Sequence, residues 1–296
     1  MQARTLVIGA AVIDIIVNID RLPKTGDDIY GELEEVLVGG CGYNVQRLLT
    51  QAAVAHDFFC PIGEGPYADI IRNQFQKEAI QILVEDERMD NGWNIAFVEA
   101  DGERTFLSVP GVETHWQADW QAYIPQVVYD YIYLSGYELE GESGWVILDW
   151  VTQMPDATII FDPSPRADFL NRELLQQIYA LSPIIHANQA ELFALSQQDT
   201  YDAAVNDLYS YTQNDIITTM GGQGARYYDG VTMTEVPAEA SQVVDTIGAG
   251  DAHTAGFIIG KSRGLSSLAA TKLGNQVAGQ VVAQRGASLA QLHLNE

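Results

Sequence analysis

Basic residues are scarce: 15 Lys and Arg stand against 40 Asp and Glu in 296 residues, a formal net charge of −25. A surface of that sign repels nucleic-acid phosphates and anionic lipid heads, which removes nucleic acid and membranes from the expected partners. Any phosphate-bearing ligand must then be held by a metal ion, a helix N-terminus or a few placed arginines. Cysteine is nearly absent, and Cys41 and Cys60 give neither a disulfide framework nor zinc-ligand spacing. No apolar run approaches the roughly 18 residues that cross a bilayer. The apolar stretch from Leu6 to Ile19 is interrupted by Asp14, and no small-residue cleavage site precedes the polar segment Asp20 to Asp28. It reads as a buried first strand rather than a signal peptide, so a cytoplasmic location is expected. Repeats, low-complexity tracts and flexible linkers are also missing, and 47% hydrophobic residues mark a globular chain.

What is present alternates. Strands are expected at Leu6 to Ile8, Phe58 to Pro61, Ile82 to Glu85, Tyr131 to Leu134, Thr158 to Phe161, Ile184 to His186 and Asp215 to Thr219. Helices are expected at Cys41 to Ala53, Ala68 to Ala79, Gly144 to Thr152, Asn171 to Tyr179, Ala190 to Ser196, Ala203 to Tyr211, Ala252 to Gly260 and Leu273 to Ala283. Such alternation predicts one doubly wound α/β domain over residues 1–296, with a mostly parallel sheet covered by helices on both faces. Two segments break the rhythm. Ile15 to Val38 and Trp93 to Val109 are strand-like, with turn signals at Thr25-Gly26-Asp27 and Asp101-Gly102 and no helix between. The second reads as a hairpin. Together, about 15–38 and 92–109 are expected to form a small β-layer, either a lid or ordinary edge strands. Its exposed edges could pair two subunits into a homodimer.

The chemistry concentrates in Asp245-Thr246-Ile247-Gly248-Ala249-Gly250-Asp251, followed by an apolar helical stretch. Three small residues opening a helix let backbone N–H groups approach an anion, helped by the positive end of the helix dipole. Asp251 in the first turn can take the proton of a hydroxyl attacking a phosphoryl group held by those N–H groups. The alternative is a glycine-rich turn in which Asp251 merely favours the helix terminus. No Gly-x-x-x-x-Gly-Lys-Ser/Thr loop occurs, and His253 stands where a dinucleotide fingerprint needs its third glycine.

The seven-residue string with Ala255-Gly256 resembles the C-terminal signature of the ribokinase, or PfkB-type, family of sugar and nucleoside kinases. Motifs in matching order run from Asp14 to Gly286. The resemblance implies a ribokinase-like fold with a β-sheet lid, ATP and Mg²⁺ as cofactors, and a small sugar or nucleoside as partner. It places the anion hole on Gly248, Ala249 and Gly250 and the catalytic base on Asp251. Gly39-Gly40-Cys41-Gly42-Tyr43-Asn44 resembles the family's Gly-Gly-x-Gly-x-Asn motif, so Gly39, Gly40, Gly42 and Asn44, with Asp14, would bind the acceptor. Asn188-Gln189-Ala190-Glu191 resembles the Asn-x-x-Glu motif near the metal-bound phosphates, with Glu191 reaching the metal through water; the same residues also read as a capping box. Thr219, Gly221 and Gly224 match the nucleotide loop, and Asn275 the position beside adenine. Arg166, in Asp162-Pro163-Ser164-Pro165-Arg166, is the candidate phosphate-facing guanidinium. A potassium ion, bound by some members through backbone carbonyls, would lie at Asp245, Ile247 and the Arg285 to Ser288 stretch.

The sequence departs from the family in places. Gln46 replaces a small residue, the family's Gly-x-Asp-x-x-Gly is here Gly63-Glu64-Gly65-Pro66-Tyr67-Ala68, and Cys41 stands where ribokinase itself has Lys. A second phosphate would need cations around the acceptor, so an unphosphorylated sugar is expected. Arg88 and Arg104 are the residues that could support a phosphorylated one. Tyr43, Trp93, Phe97 and Phe106 could stack on a nucleobase or belong to the core, which keeps a nucleoside kinase as the alternative. A non-catalytic sugar- or nucleotide-binding protein would be expected to have lost the base or the anion hole. His186 and His253 receive no catalytic role.

Overall fold

The computed structural model describes residues 3–100, 102–287 and 289–294. Asp101 of the expected hairpin turn and Ser288 of the expected potassium site lie outside them. The first half of the chain runs β1 (Arg4–Ile8), β2 (Val12–Ile19), β3 (Gly31–Gly39), α1 (Cys41–Gln51), β4 (Ala55–Phe59), β5 (Pro61–Ile62), α2 (Pro66–Glu78), β6 (Val84–Glu85), β7 (Trp93–Val98), β8 (Arg104–Val109) and β9 (Tyr131–Ser135). It continues through α3 (Gly141–Thr152), β10 (Thr158–Asp162), α4 (Arg172–Ala180), β11 (Ile184–Asn188), α5 (Gln189–Ser196), α6 (Tyr201–Thr212), β12 (Ile216–Thr219), β13 (Ala225–Tyr228), β14 (Met233–Val236), α7 (Ala249–Ser262) and α8 (Ser267–Val281).

Eight strands form the main sheet in the order β14-β13-β12-β11-β10-β9-β1-β4. It is parallel from β12 to β4, and β13 and β14 add an antiparallel edge that the sequence reading did not foresee. Successive residues divide between two cores, as a sheet covered on both faces requires. Leu6, Ile8, Ile132, Leu134 and Phe161 face the core built with α3, α4, α5 and α6. Val7, Tyr133, Ile160 and Ile217 face the core built with α1, α2, α7 and α8. The close approach of α7 to α8 explains Gly256: a Cβ there would stand 2.8 Å from the Cα of Gly274. No helix among the described residues is long and apolar enough to cross a membrane.

The two segments that broke the rhythm form a separate four-stranded sheet, ordered β3-β2-β7-β8. β7 and β8 are the expected antiparallel hairpin, while β2 and β7 run parallel. The sheet begins at Val12, three residues before the expected start, because the chain passes directly from β1 into β2.

The departure at Gly63 to Ala68 has a structural reason. The first-turn amides of Tyr67 and Ala68 in α2 donate to the carboxylate of Asp90, at 3.1 and 2.7 Å. A Cβ at Gly65 would stand 2.5 Å from that carboxylate, so the cap comes from a distant loop and Gly65 makes room for it. Asp90→Ala is therefore expected to lower stability by about 1 kcal/mol, within the range for loss of an N-cap, as read by urea denaturation. An unchanged midpoint would remove Asp90 from that role.

Candidate active site

Parallel strands deliver their ends to one edge of the sheet, and that edge carries the polar residues. Asp162 ends β10, Asn188 ends β11 and Thr219 ends β12. All three line a cavity of about 160 Å³ whose opposite wall is Gly248, Ala249, Gly250 and Asp251, and Cys41 and Glu191 line it as well. No Lys or Arg is among the lining residues. The α7 helix begins at Gly248, whose φ of 72° is the left-handed conformation glycine adopts at no steric cost. No side chain among the described residues caps this helix, so the positive end of its dipole is directed at the cavity.

Asp251 accepts a hydrogen bond from the Asn44 amide at 2.8 Å. Burial pushes its carboxyl up to about 6, the Asn44 bond opposes this, the charge of Asp162 adds to it, and the Cys41 thiol opposes it again. Asp162 and Glu191 are also pushed up, by burial first. For Glu191 the negative charges of Asp162 and Asp251 act in the same direction. The cavity thus gathers carboxylates that a divalent cation would relieve, and their oxygens suit Mg²⁺. The Asn188–Glu191 capping box is present: each residue's side chain accepts from the other's backbone, at 2.9 and 2.8 Å. One carboxylate oxygen of Glu191 is thereby committed to the cap.

Asp14 lies on β2 beside β7, and Asn94 donates to it at 2.9 Å. Its carboxyl is raised by burial and by the Asp251 charge, with the Asn94 bond opposing. A Cβ at Gly39 would stand 1.9 Å from the Asp14 carboxylate, and Gly40 adopts a φ of 106° that starts α1. Gly42 packs against the backbone of Gly9, where a Cβ would stand 2.7 Å from its Cα, so this glycine serves a close crossing of loop and helix. Asp14, Gly39, Asn44 and the 248–251 turn therefore share one neighbourhood with Asn188, Glu191 and Thr219.

Four expected ligand-binding residues are not among those that line this cavity. Gly221 and Gly224 form the turn between β12 and β13 without lining the cavity. The Asn275 amide is buried and donates to the carbonyls of Val236 and Pro237 at 2.9 and 3.0 Å, which ties α8 to the end of β14. Arg166 is paired with Glu140 and lies 4.3 Å above the Phe169 ring, so its guanidinium is already engaged, although its neighbours Ser164 and Pro165 line the cavity. At the expected potassium site the Asp245 carboxylate has both oxygens engaged. Asp245 already accepts from Arg104 at 2.7 and 3.2 Å, from the Ile247 amide at 3.0 Å and from the Gly286 amide at 3.1 Å. Burial pushes the Asp245 carboxyl up, but those bonds and the Arg104 charge prevail and hold it at about 2.

Three polar residues around this site escaped the sequence reading. Asn94 and Glu138 carried no motif, and Asp162 was quoted only for its neighbour Arg166. For Asp162 and Glu138 the signal was position: ligands of open α/β sheets bind at the carboxyl ends of the strands. Thr254 donates to Asp162 at 3.0 Å and lies 3.0 Å from His186, whose other nitrogen meets His253 at 2.7 Å. Burial lowers both histidines, so they form a neutral pair supporting Asp162 from behind.

Glu138 follows β9 and is buried, accepting from the Ala10 amide at 2.9 Å. Burial raises its carboxyl to about 8, so the folded protein binds a proton that the unfolded chain releases above its ordinary carboxylate range. This group's contribution to stability is therefore full at low pH and lost as pH rises through 8. Glu138→Gln is expected to gain a few degrees in melting temperature, relative to wild type, between about pH 5.5 and 9. A pH-independent difference would contradict the raised carboxyl.

The sequence matches the pfkB family carbohydrate kinase domain over residues 2–293. It is 36% identical over 289 residues to the uncharacterized sugar kinase YegV of Escherichia coli (strain K12), covering 96% of this chain and 90% of that protein. Ribokinase of Lactococcus lactis is 22% identical over 268 residues, covering 90% and 86%. Among solved structures, Thermotoga maritima ribokinase superposes with a TM-score of 0.83 at 21% identity, covering 97% of this chain and 95% of that one. Arabidopsis thaliana ribokinase complexed with ribose and ATP gives 0.81 at 22%, covering 97% and 94%. With the family match spanning nearly every residue and the strand-end site described above, the chain belongs to the pfkB family of carbohydrate kinases, phosphotransferases with an alcohol group as acceptor.

Proposed function

We propose that the chain is an ATP-dependent kinase that transfers the γ-phosphate to a hydroxyl of an unphosphorylated sugar or sugar-like molecule. The placement of Asp251 carries this reading: a half-buried carboxylate in the first turn of α7, lining the cavity beside an uncapped helix start and held by Asn44. Asp251 takes the proton of the acceptor hydroxyl. The amides of Gly248, Ala249 and Gly250 face the negative charge that develops on the transferring phosphoryl group. Asn44 orients the base, and Asp14, fixed by Asn94, accepts from neighbouring hydroxyls of the acceptor. The small sheet then acts as the lid over that acceptor.

ATP would lie along the strand ends at Asn188 and Thr219, with its phosphates toward α7. Mg²⁺ would be held by the phosphates with Glu191, through water, and Asp162, and would offset negative charge in a cavity lined by no Lys or Arg. Arg88 is engaged by Asp86 and Arg104 by Asp245, so neither cation is free for a second phosphate on the acceptor. That favours an unphosphorylated substrate. A nucleoside acceptor loses two of its four expected stacking partners, because Tyr43 is buried and stacked on Phe75 and Trp93 packs on Tyr67, while Phe106 stays exposed on β8. A non-catalytic binding protein would have no need to keep the base and the open helix start together.

The test is ADP release from Mg-ATP against ribose, fructose, 2-keto-3-deoxygluconate, pseudouridine, adenosine, inosine and fructose 6-phosphate. Turnover with an unphosphorylated sugar is expected, and Asp251→Asn should lower it roughly 10²–10⁴-fold while ATP binding persists. Fructose 6-phosphate as the best substrate would overturn the unphosphorylated-acceptor reading, and full turnover by Asp251→Asn would remove it as the base.

A further inference from the structure

Asp245 opens the turn that leads into α7, yet the charge that answers it comes from another layer of the molecule. Arg104 is the first residue of β8, an outer strand of the small sheet, and it reaches across 141 positions of sequence to a bidentate pair with Asp245. Asp245 is nearly buried, with 7% of its side chain exposed against 29% for Arg104. Each Asp245 oxygen takes one guanidinium N–H and one backbone N–H. Those of Ile247 and Gly286 are the backbone donors. Four donors on two oxygens fix the carboxylate's orientation. Through the Ile247 amide it fixes the turn immediately before Gly248. Through the Gly286 amide it fixes the strand of chain whose Ala287 packs against Gly248, where a Cβ on that glycine would stand 2.4 Å from the Ala287 Cβ. The other outer strand of the small sheet reaches the same region: Glu34 of β3 accepts from Arg285 at 2.8 Å.

We infer that Arg104 is a positioning residue for phosphoryl transfer, fastening the small sheet to the anion-hole turn through Asp245 and supplying there the positive charge that would otherwise call for a monovalent cation. This rests on the kinase reading above. Removal of the guanidinium leaves a nearly buried carboxylate facing two amides and no cation, so the turn loses its fixed shape while the acceptor and nucleotide contacts stay in place. The loss then falls on kcat, since the anion hole acts on charge that develops during transfer. It also follows that the wild-type enzyme has no use for potassium, whereas a variant without the guanidinium offers Asp245 to one.

Two measurements on the full chain test this, and the first needs no substrate. Amide hydrogen exchange of wild type, Arg104→Ala and Arg104→Lys should show Ile247 and Gly286 exchanging at least about tenfold faster in Arg104→Ala, with β9 and β10 unchanged and Arg104→Lys in between. In steady-state assays, Arg104→Ala should lose at least about tenfold in kcat with both KM values within about threefold, and KCl but not choline chloride should restore part of that loss. The wild-type rate should be the same in the two salts. Unchanged protection of Ile247 and Gly286 in Arg104→Ala, an unchanged kcat, or a wild type that depends on potassium would overturn the inference. If wild type turns over no acceptor, the kinase reading fails and the exchange measurement alone decides the role of Arg104.

Discussion

The hydrogen bond from Asn44 to Asp251 joins residues 207 positions apart and brings the start of α1 against the start of α7. Much of the architecture serves that meeting. Gly42 lets α1 cross the loop after β1 at backbone contact, and Gly256 lets α7 lie close on α8. Both helices cover the same face of the sheet, so their N-termini project past the same strand ends. Asp162, supported from behind by Thr254 and the neutral His186–His253 pair, rises from the sheet to meet them. The base is thereby placed by packed elements on three sides rather than by a loop.

Charge is the second constraint. Glu138 and Asp162, buried, and Asp14, Glu191 and Asp251, half-buried, are all carboxyls raised from their ordinary range, in a chain of net charge −25. The cavity itself offers no Lys or Arg. Arginines near the site are spent on the scaffold instead, Arg104 on Asp245 and Arg166 on Glu140. A phosphate group can enter such a place only with backbone dipoles and a metal ion to receive it. The arrangement leaves little provision for a second phosphate on the acceptor.

The main sheet was legible because strands buried on both faces read as short apolar runs between helical periods. Asp251 and its turn were legible because few other functions require so many small residues before an acid at a helix start. The β13–β14 edge was missed, since Arg226, Tyr227 and Tyr228 give no alternation that separates a strand from a loop. Asn275 and Arg166 were placed by motif position, but partner choice is a tertiary matter: the nearest acceptors for their donors are backbone carbonyls and Glu140. Asn94 became visible only through the pairing of β2 with β7 and Glu138 only when the strand ends were brought together. The Gly65–Asp90 exchange is of the same kind, a cap supplied from 22 and 23 residues away that local sequence cannot announce.

The most direct measurement of Asp251 as the base is the pH dependence of kcat/KM for the acceptor. A base must be ionised to act, and its carboxyl stands at about 6 in the folded protein. The rate should therefore rise tenfold per pH unit below 6 and level off above it, an acid limb well above that of an ordinary exposed carboxylate. A profile that stays flat from about pH 5 to 8 would show that no group with this ionisation takes the hydroxyl proton, and would contradict the role given to Asp251.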